Sequence, residues 1–86
     1  MAVKMYYRVD FYEGPIKDKK IVFSLEPSTV PFAFAVDDFV DSSGWTGNPL
    51  PPQQHYQITA VEHQLTFFGA DECQHNVAIS VDAVAR

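Results

Sequence analysis

Four segments of the chain alternate between apolar and polar side chains with a period of two. They span residues 3–12, 20–26, 55–68 and 75–85. Such alternation, rich in aromatic and β-branched residues, is typical of strands that bury one face. We therefore predict an antiparallel sheet made of two β-hairpins, over about residues 3–26 and 55–85.

The third of these segments contains two alternating runs that are out of phase. One run is Tyr56, Ile58 and Ala60. The other run is assigned to the opposite face and consists of Val61, His63, Leu65 and Phe67. A change of phase within one strand is what a β-bulge or a sharp bend produces. We predict such an irregularity between the two runs, and a turn over residues 69–74.

Residues 27–44 fit two different elements. In a short helix over about 30–42, an apolar face lies opposite Asp37, Asp38 and Asp41, and Gly44 ends the helix. In a strand over 30–36, alternate apolar side chains point the same way instead. We predict the helix, and with it a strand-rich α+β fold of one domain over residues 1–86. The alternative is a small all-β barrel in which 30–36 is a fifth strand.

Composition favours a folded chain with an acidic surface. Hydrophobic residues make up 47% of the 86 residues, aromatic residues 14%, and the net charge is −5. The acidic balance argues against nucleic acid as a partner, because neutralising phosphates with Lys and Arg dominates that affinity. No apolar run is long enough for a membrane span, and the first ten residues lack a secretory signal pattern. With one cysteine, no internal disulfide is possible, and we expect a cytoplasmic protein.

The sequence predicts no catalytic residue, no metal ligand set and no cofactor site. Cys73 and His75 are close in sequence, but Asp71 and Glu72 beside them disfavour a thiolate. Metal sites need three or four convergent ligands, and we expect His63 to pack at a core margin. No phosphate-binding, hydrolase or metalloprotease motif occurs. We therefore predict that the protein is not an enzyme.

A proline- and glycine-rich loop, "SGWTGNPLPPQQ" over residues 43–54, carries the single tryptophan of the chain. Prolines keep such a loop extended and stiff, and tryptophan is a frequent interface residue. In a domain this small, we expect Trp45 to fold back and cap the core more readily than to stand exposed as an anchor.

The predicted outward face of the first strand carries Tyr6, Arg8 and Tyr12. Tyrosine and arginine are enriched in interfaces, so we predict that a second copy or a larger partner covers this face. The alternative is that the Trp45 loop folds over it within one chain. The candidate interface residues are Tyr6, Arg8, Tyr12, Asp37, Asp38, Asp41 and Trp45.

The favoured function is that of a small interaction protein without catalysis, an adaptor or inhibitor that docks on a larger protein. Its size and acidity would suit a phage- or mobile-element-type protein. Two alternatives stay open: a structural subunit of a homo-oligomer or larger assembly, and a carrier of a small ligand.

Overall fold

In the part of the chain that the structure describes, the fold is one curled, mixed sheet of five strands with almost no helix. The structure is a computed structural model that describes residues 3–28, 33–51 and 53–85. The strands are β1 (Lys4–Glu13), β2 (Ile21–Leu25), β3 (Phe39–Asp41), β4 (His55–Gly69) and β5 (Glu72–Val84). Single 3-10 turns occur at Ile16–Asp18 and Ser42–Gly44. The spatial order is β2-β1-β5-β4-β3.

Both predicted hairpins are present, since β1 pairs with β2 and β4 pairs with β5, each antiparallel. The prediction of a wholly antiparallel sheet is wrong, because β1 and β5 run parallel along the whole of β1. The reason is the connection between the hairpins. It leaves β2 at one edge of the sheet and returns as β3 at the opposite edge. β5 then enters between β4 and β1, in the direction of β1.

The predicted helix over 30–42 is wrong for the part that the structure describes, and residues 30–32 lie outside it. Residues 35–38 form a turn in which Asp37 has a left-handed backbone (φ 77°), and residues 33–34 have no regular structure. The backbone then pairs with β4: Asp37 N–H donates to the Ile58 carbonyl, and Ile58 N–H donates to that of Asp38. These bonds lead into β3. Of the alternative strand at 30–36, the described residues 33–36 do not form a strand, and residues 30–32 lie outside the described part of the chain.

The third segment has the predicted irregularity, but the register shift lies between Ile58 and Ala60, earlier than the predicted change of phase after Ala60. Its effect on side-chain direction differs from the prediction. Ile58 lies opposite Val81, and Val61 lies opposite Ile79. Val81 and Ile79 are two apart on β5 and share one face. The bulge at Thr59 therefore brings both alternating runs of β4 to the same face of the sheet.

The core occupies one half of the concave face. Its buried side chains come from the three central strands: Val9, Phe11, Tyr56, Ile58, Val77, Ile79 and Val81. The connecting chain covers them, since Phe34 packs edge-on against Phe11 with ring centroids 5.8 Å apart. No helix among the described residues is long and apolar enough to cross a membrane.

The loop of residues 43–54 is closed at its base and carries Trp45 onto the core. The buried Ser42 hydroxyl donates to the Gln54 carbonyl (2.9 Å) and accepts from Gln54 N–H (2.8 Å). Trp45 stacks between Phe23 of β2 and Tyr56 of β4, with centroids 4.6 Å and 5.7 Å away. Because β2 and β4 are not neighbours, this stack spans the concave side of the half-barrel.

Candidate functional site

The connecting chain covers only part of the concave face. β4 has 15 residues and β5 has 13, about twice the usual strand length, and the molecule is 48 Å long. Beyond the core, β1, β5 and β4 continue side by side toward the Ala70–Asp71 turn. We call the concave side of this end the distal face. Its side chains are Met5, Tyr7, His63, Leu65, Phe67, Cys73 and His75.

Exposure on the distal face increases from β5 toward β4. Cys73 is buried and His75 is half-buried, whereas Leu65 is 61% exposed and Phe67 is 63% exposed. Large apolar side chains on a sheet face normally pack against a second layer. The outer part of the distal face therefore has the composition of a core and the exposure of a surface.

Two histidines meet on the distal face. His63 Nδ1 lies 2.9 Å from His75 Nε2, and the ring of Tyr7 contacts the His75 ring edge-on at 6.2 Å. The residues are diagonal neighbours, since His63 lies opposite Val77 and His75 lies opposite Leu65. The pair shares one hydrogen bond, with one ring donating and the other accepting. His63 is exposed, so the expected packing at a core margin is not what this side chain does.

The outer edge of β4 is a second feature of the same end. Within the described ranges, β3 pairs with β4 only over His55–Gln57. From Ala60 to Phe67 the β4–β5 register is regular. On the side away from β5, no strand of the described chain pairs with this stretch. Its outward N–H and C=O groups can therefore pair with another extended segment.

The convex face holds the tyrosines and the arginine predicted as an interface. Arg8 Nε lies 3.0 Å from the buried Asp10 carboxylate, and Arg8 Nη1 lies 3.1 Å from Glu26. Tyr6 contacts Phe68 across β5, with ring centroids 5.5 Å apart. Arg8 is thus engaged in ion pairs within the chain, and Tyr6 is 39% exposed.

Tyr12 lies on the same convex face and is half-buried. Burial raises the pKa of its hydroxyl above the ordinary 10.0, and the Asp10 carboxylate raises it further. The Trp45 loop packs on the opposite, concave face, so it is not a lid over Tyr6 and Tyr12.

The three predicted acidic residues do not form a common helix face. The Asp38 carboxylate accepts a hydrogen bond from Ala35 N–H (3.1 Å), which closes the 35–38 turn. The Asp41 carboxylate accepts from Ser43 N–H (2.9 Å) and lies 3.9 Å from His55 Nδ1. These carboxylates stabilise turns at one end of the molecule, far along the sheet from the distal face.

Within the described part of the chain, the structure brings together few side chains of the kinds that catalyse reactions or bind metals. Among the described residues, no three His, Cys, Asp or Glu side chains converge on a possible metal position. Cys73 is a buried residue of β5 rather than part of the predicted turn. A shallow, open cleft of about 440 Å³ lies beside β1, and Tyr6, Tyr7, Arg8 and Glu26 contribute to its walls.

Sequence reasoning missed the distal face as a surface. The alternation of Val61, His63, Leu65 and Phe67 predicted a buried face, and period two cannot say whether a second layer exists. The length of the two C-terminal segments could have indicated it, because they are longer than the short connecting chain of this protein can cover.

No family model, no curated protein and no solved structure matches this chain.

Proposed function

We propose that this protein is a non-enzymatic interaction module that binds another polypeptide by strand addition at the outer edge of β4. The observation that carries the proposal is the stretch Ala60–Phe67, a regular strand edge without a strand partner in the described chain. In strand addition, main-chain hydrogen bonds supply affinity and alternate side chains supply specificity.

The distal face supports the same proposal. A strand added beside β4 would place its own concave side chains next to Leu65 and Phe67, which are 61% and 63% exposed. Removing such apolar surface from water stabilises a complex by about 25 cal/mol per Å². The edge and the apolar face therefore favour the same occupant, an extended segment with apolar residues at alternate positions.

This function agrees with the predicted interaction protein but uses a different surface. On the convex face, Arg8 forms ion pairs with Asp10 and Glu26, and Tyr6 contacts Phe68. The residues proposed to bind are instead in the regular part of β4. An adaptor, an inhibitor and an assembly subunit would all bind at this edge in the same way, because each would pair a strand of this chain with a strand of its partner.

Site-specific photo-crosslinking tests the proposal. One variant carries p-benzoylphenylalanine in place of Phe67, and a matched control carries it in place of Leu50, which is also 63% exposed but lies in the 43–54 loop. After irradiation in cells of the native source, mass spectrometry identifies the crosslinked peptides. We expect position 67 to crosslink to an extended segment of a second polypeptide, and position 50 not to do so. Absence of such a crosslink at position 67 overturns the proposed function.

A further inference from the structure

The regular edge of β4 lacks the features that normally keep strand edges apart. Natural proteins protect such edges with lysine, proline, inward charges or bulges. Between Ala60 and Phe67 there is no lysine and no proline, and Glu62 is the single charged residue. Bulges occur at both ends of this stretch, next to Ile58 and next to Phe67, but not within it. The edge is thus suited to pairing along its whole regular length.

Charge favours a second copy of this chain as the occupant. The net charge of −5 makes two copies repel unless they meet through a neutral surface. The distal face contains no Asp, Glu, Lys or Arg, and the edge of β4 contains only Glu62. Two copies therefore meet few like charges when they approach through the distal face and this edge, although Asp71 and Glu72 lie at the adjoining turn.

Strand geometry makes the edge complementary to itself. A strand edge that pairs antiparallel with an identical edge forms a closed, twofold-symmetric interface, the commonest kind in homo-oligomers. Resting on the proposed strand addition, we infer that the polypeptide bound there is a second copy, paired antiparallel along β4 about a twofold axis at Gln64. The two five-stranded sheets then form one continuous sheet.

The position of the axis follows from the side chains. An axis at Gln64 places Val61 opposite the partner's Phe67 and His63 opposite the partner's Leu65, so each exposed apolar side chain meets a concave-face side chain of the other copy. It places Glu62 opposite the partner's Thr66. An axis at Glu62 would instead set two carboxylates against each other, which is destabilising. An axis at His63 would leave Phe67 without an opposite residue in the regular stretch.

Disulfide trapping tests this register. In a Cys73→Ala background, Gln64→Cys places the new thiol opposite its own copy. Directly opposed strand residues have Cα atoms about 4.5–5.5 Å apart, within the range of about 4.4–6.8 Å for disulfides. Thr66→Cys is the matched control, because an axis at Gln64 separates its two copies by about 13 Å along the strands. A mixture of Glu62→Cys and Thr66→Cys chains should crosslink only to each other.

The expected result has two parts. Light scattering and sedimentation of the wild type give the mass of a dimer over about 1 to 100 µM. Gln64→Cys forms the interchain disulfide at least about tenfold faster than Thr66→Cys alone. The mixture of Glu62→Cys and Thr66→Cys chains also crosslinks at least about tenfold faster than Thr66→Cys alone. A monomeric wild type over this range, or a Thr66→Cys chain that crosslinks to itself as fast as Gln64→Cys, overturns the inference.

The photo-crosslink at position 67 separates this inference from the proposed function. A crosslink to a different polypeptide from a monomeric chain leaves strand addition in place and removes the second copy as the occupant. No crosslink to any polypeptide removes both.

Discussion

The indole ring of Trp45 lies parallel to the phenyl ring of Phe23, with centroids 4.6 Å apart and 8° between the ring planes. The other face of the indole packs against Tyr56. One side chain from the 43–54 loop thereby ties an outer strand to β4 across the concave face. Trp45 therefore packs against the core, whereas Leu50 of the same loop is 63% exposed.

Replacing Trp45 should therefore lower stability. We expect Trp45→Ala to reduce the free energy of unfolding by roughly 2–3 kcal/mol, below the about 3–5 kcal/mol of a fully buried tryptophan, because Trp45 is only half-buried. Trp45→Phe keeps part of the stacking and should lose less. Urea denaturation followed by circular dichroism measures both. Unchanged stability of Trp45→Ala would contradict the core position of this ring.

The ion pairs of Arg8 allow a comparison of a buried and an exposed partner. Arg8 donates to Asp10, whose side chain is 6% exposed, and to Glu26, whose side chain is 72% exposed. Arg8→Met leaves a buried carboxylate without its charged donor and should cost about 1.5–3 kcal/mol. Glu26→Gln should change stability by less than about 1 kcal/mol, as is usual for exposed pairs. Equal losses in chemical denaturation would contradict this ranking.

Alkaline pH should destabilise the fold through Tyr12 and Lys20. Burial raises the pKa of Tyr12 above 10.0, and the hydrogen bond from Lys20 to the Glu13 carboxylate raises the pKa of Lys20 above 10.5. Both folded-state values exceed the unfolded ones. The stabilisation is therefore fully present below about pH 10 and is lost as the pH rises through the folded-state values.

The double variant Tyr12→Phe, Lys20→Gln removes both titrations. Its loss of stability between about pH 8 and about pH 11 should be smaller than that of the wild type. Denaturant titrations at several pH values measure the two slopes. A Lys17→Gln variant serves as control, because Lys17 is an exposed residue of the Ile16–Asp18 turn. An unchanged alkaline slope in the double variant would contradict the assignment.

The sequence supports prediction of local strands better than of their assembly. Period two identifies β1, β2, β4 and β5, and the phase change near Thr59 identifies the bulge, because both depend on neighbouring residues. The parallel pairing of β1 with β5 joins residues far apart in the chain. No local pattern encodes that choice, which depends on the path of the connection over the core.

The region around Asp37 shows why local pattern also misleads. Its apolar spacing fits a helix. The backbone of residues 37–38 instead makes hydrogen bonds to Ile58 of β4, which it could not make if these residues were helical. Propensity is weaker than such tertiary pairing. The candidate site was missed for a related reason, because the alternation at Leu65 and Phe67 is the same for a covered and an uncovered face.

The core and the distal face lie on the same side of the sheet, but their side chains should contribute differently to the stability of the monomer. Leu65 and Phe67 are exposed, whereas Ile79, on the same concave face, is fully buried. The double variant Leu65→Thr, Phe67→Thr places β-branched threonine at both positions, a side chain that suits a strand. We expect the free energy of unfolding of its monomer to lie within about 1 kcal/mol of that of the wild-type monomer. The association constant of the dimer should fall at least about tenfold.

Ile79→Thr is the matched control for that variant. It places a hydroxyl in the core and should cost about 2 kcal/mol or more in the free energy of unfolding, because the cavity and the buried polar group both destabilise. Sedimentation gives the association constant, and denaturation at low protein concentration gives the stability of the monomer. A distal double variant as unstable as Ile79→Thr would show that Leu65 and Phe67 stabilise the single chain. A stable double variant with unchanged association would place the interface elsewhere than the distal face.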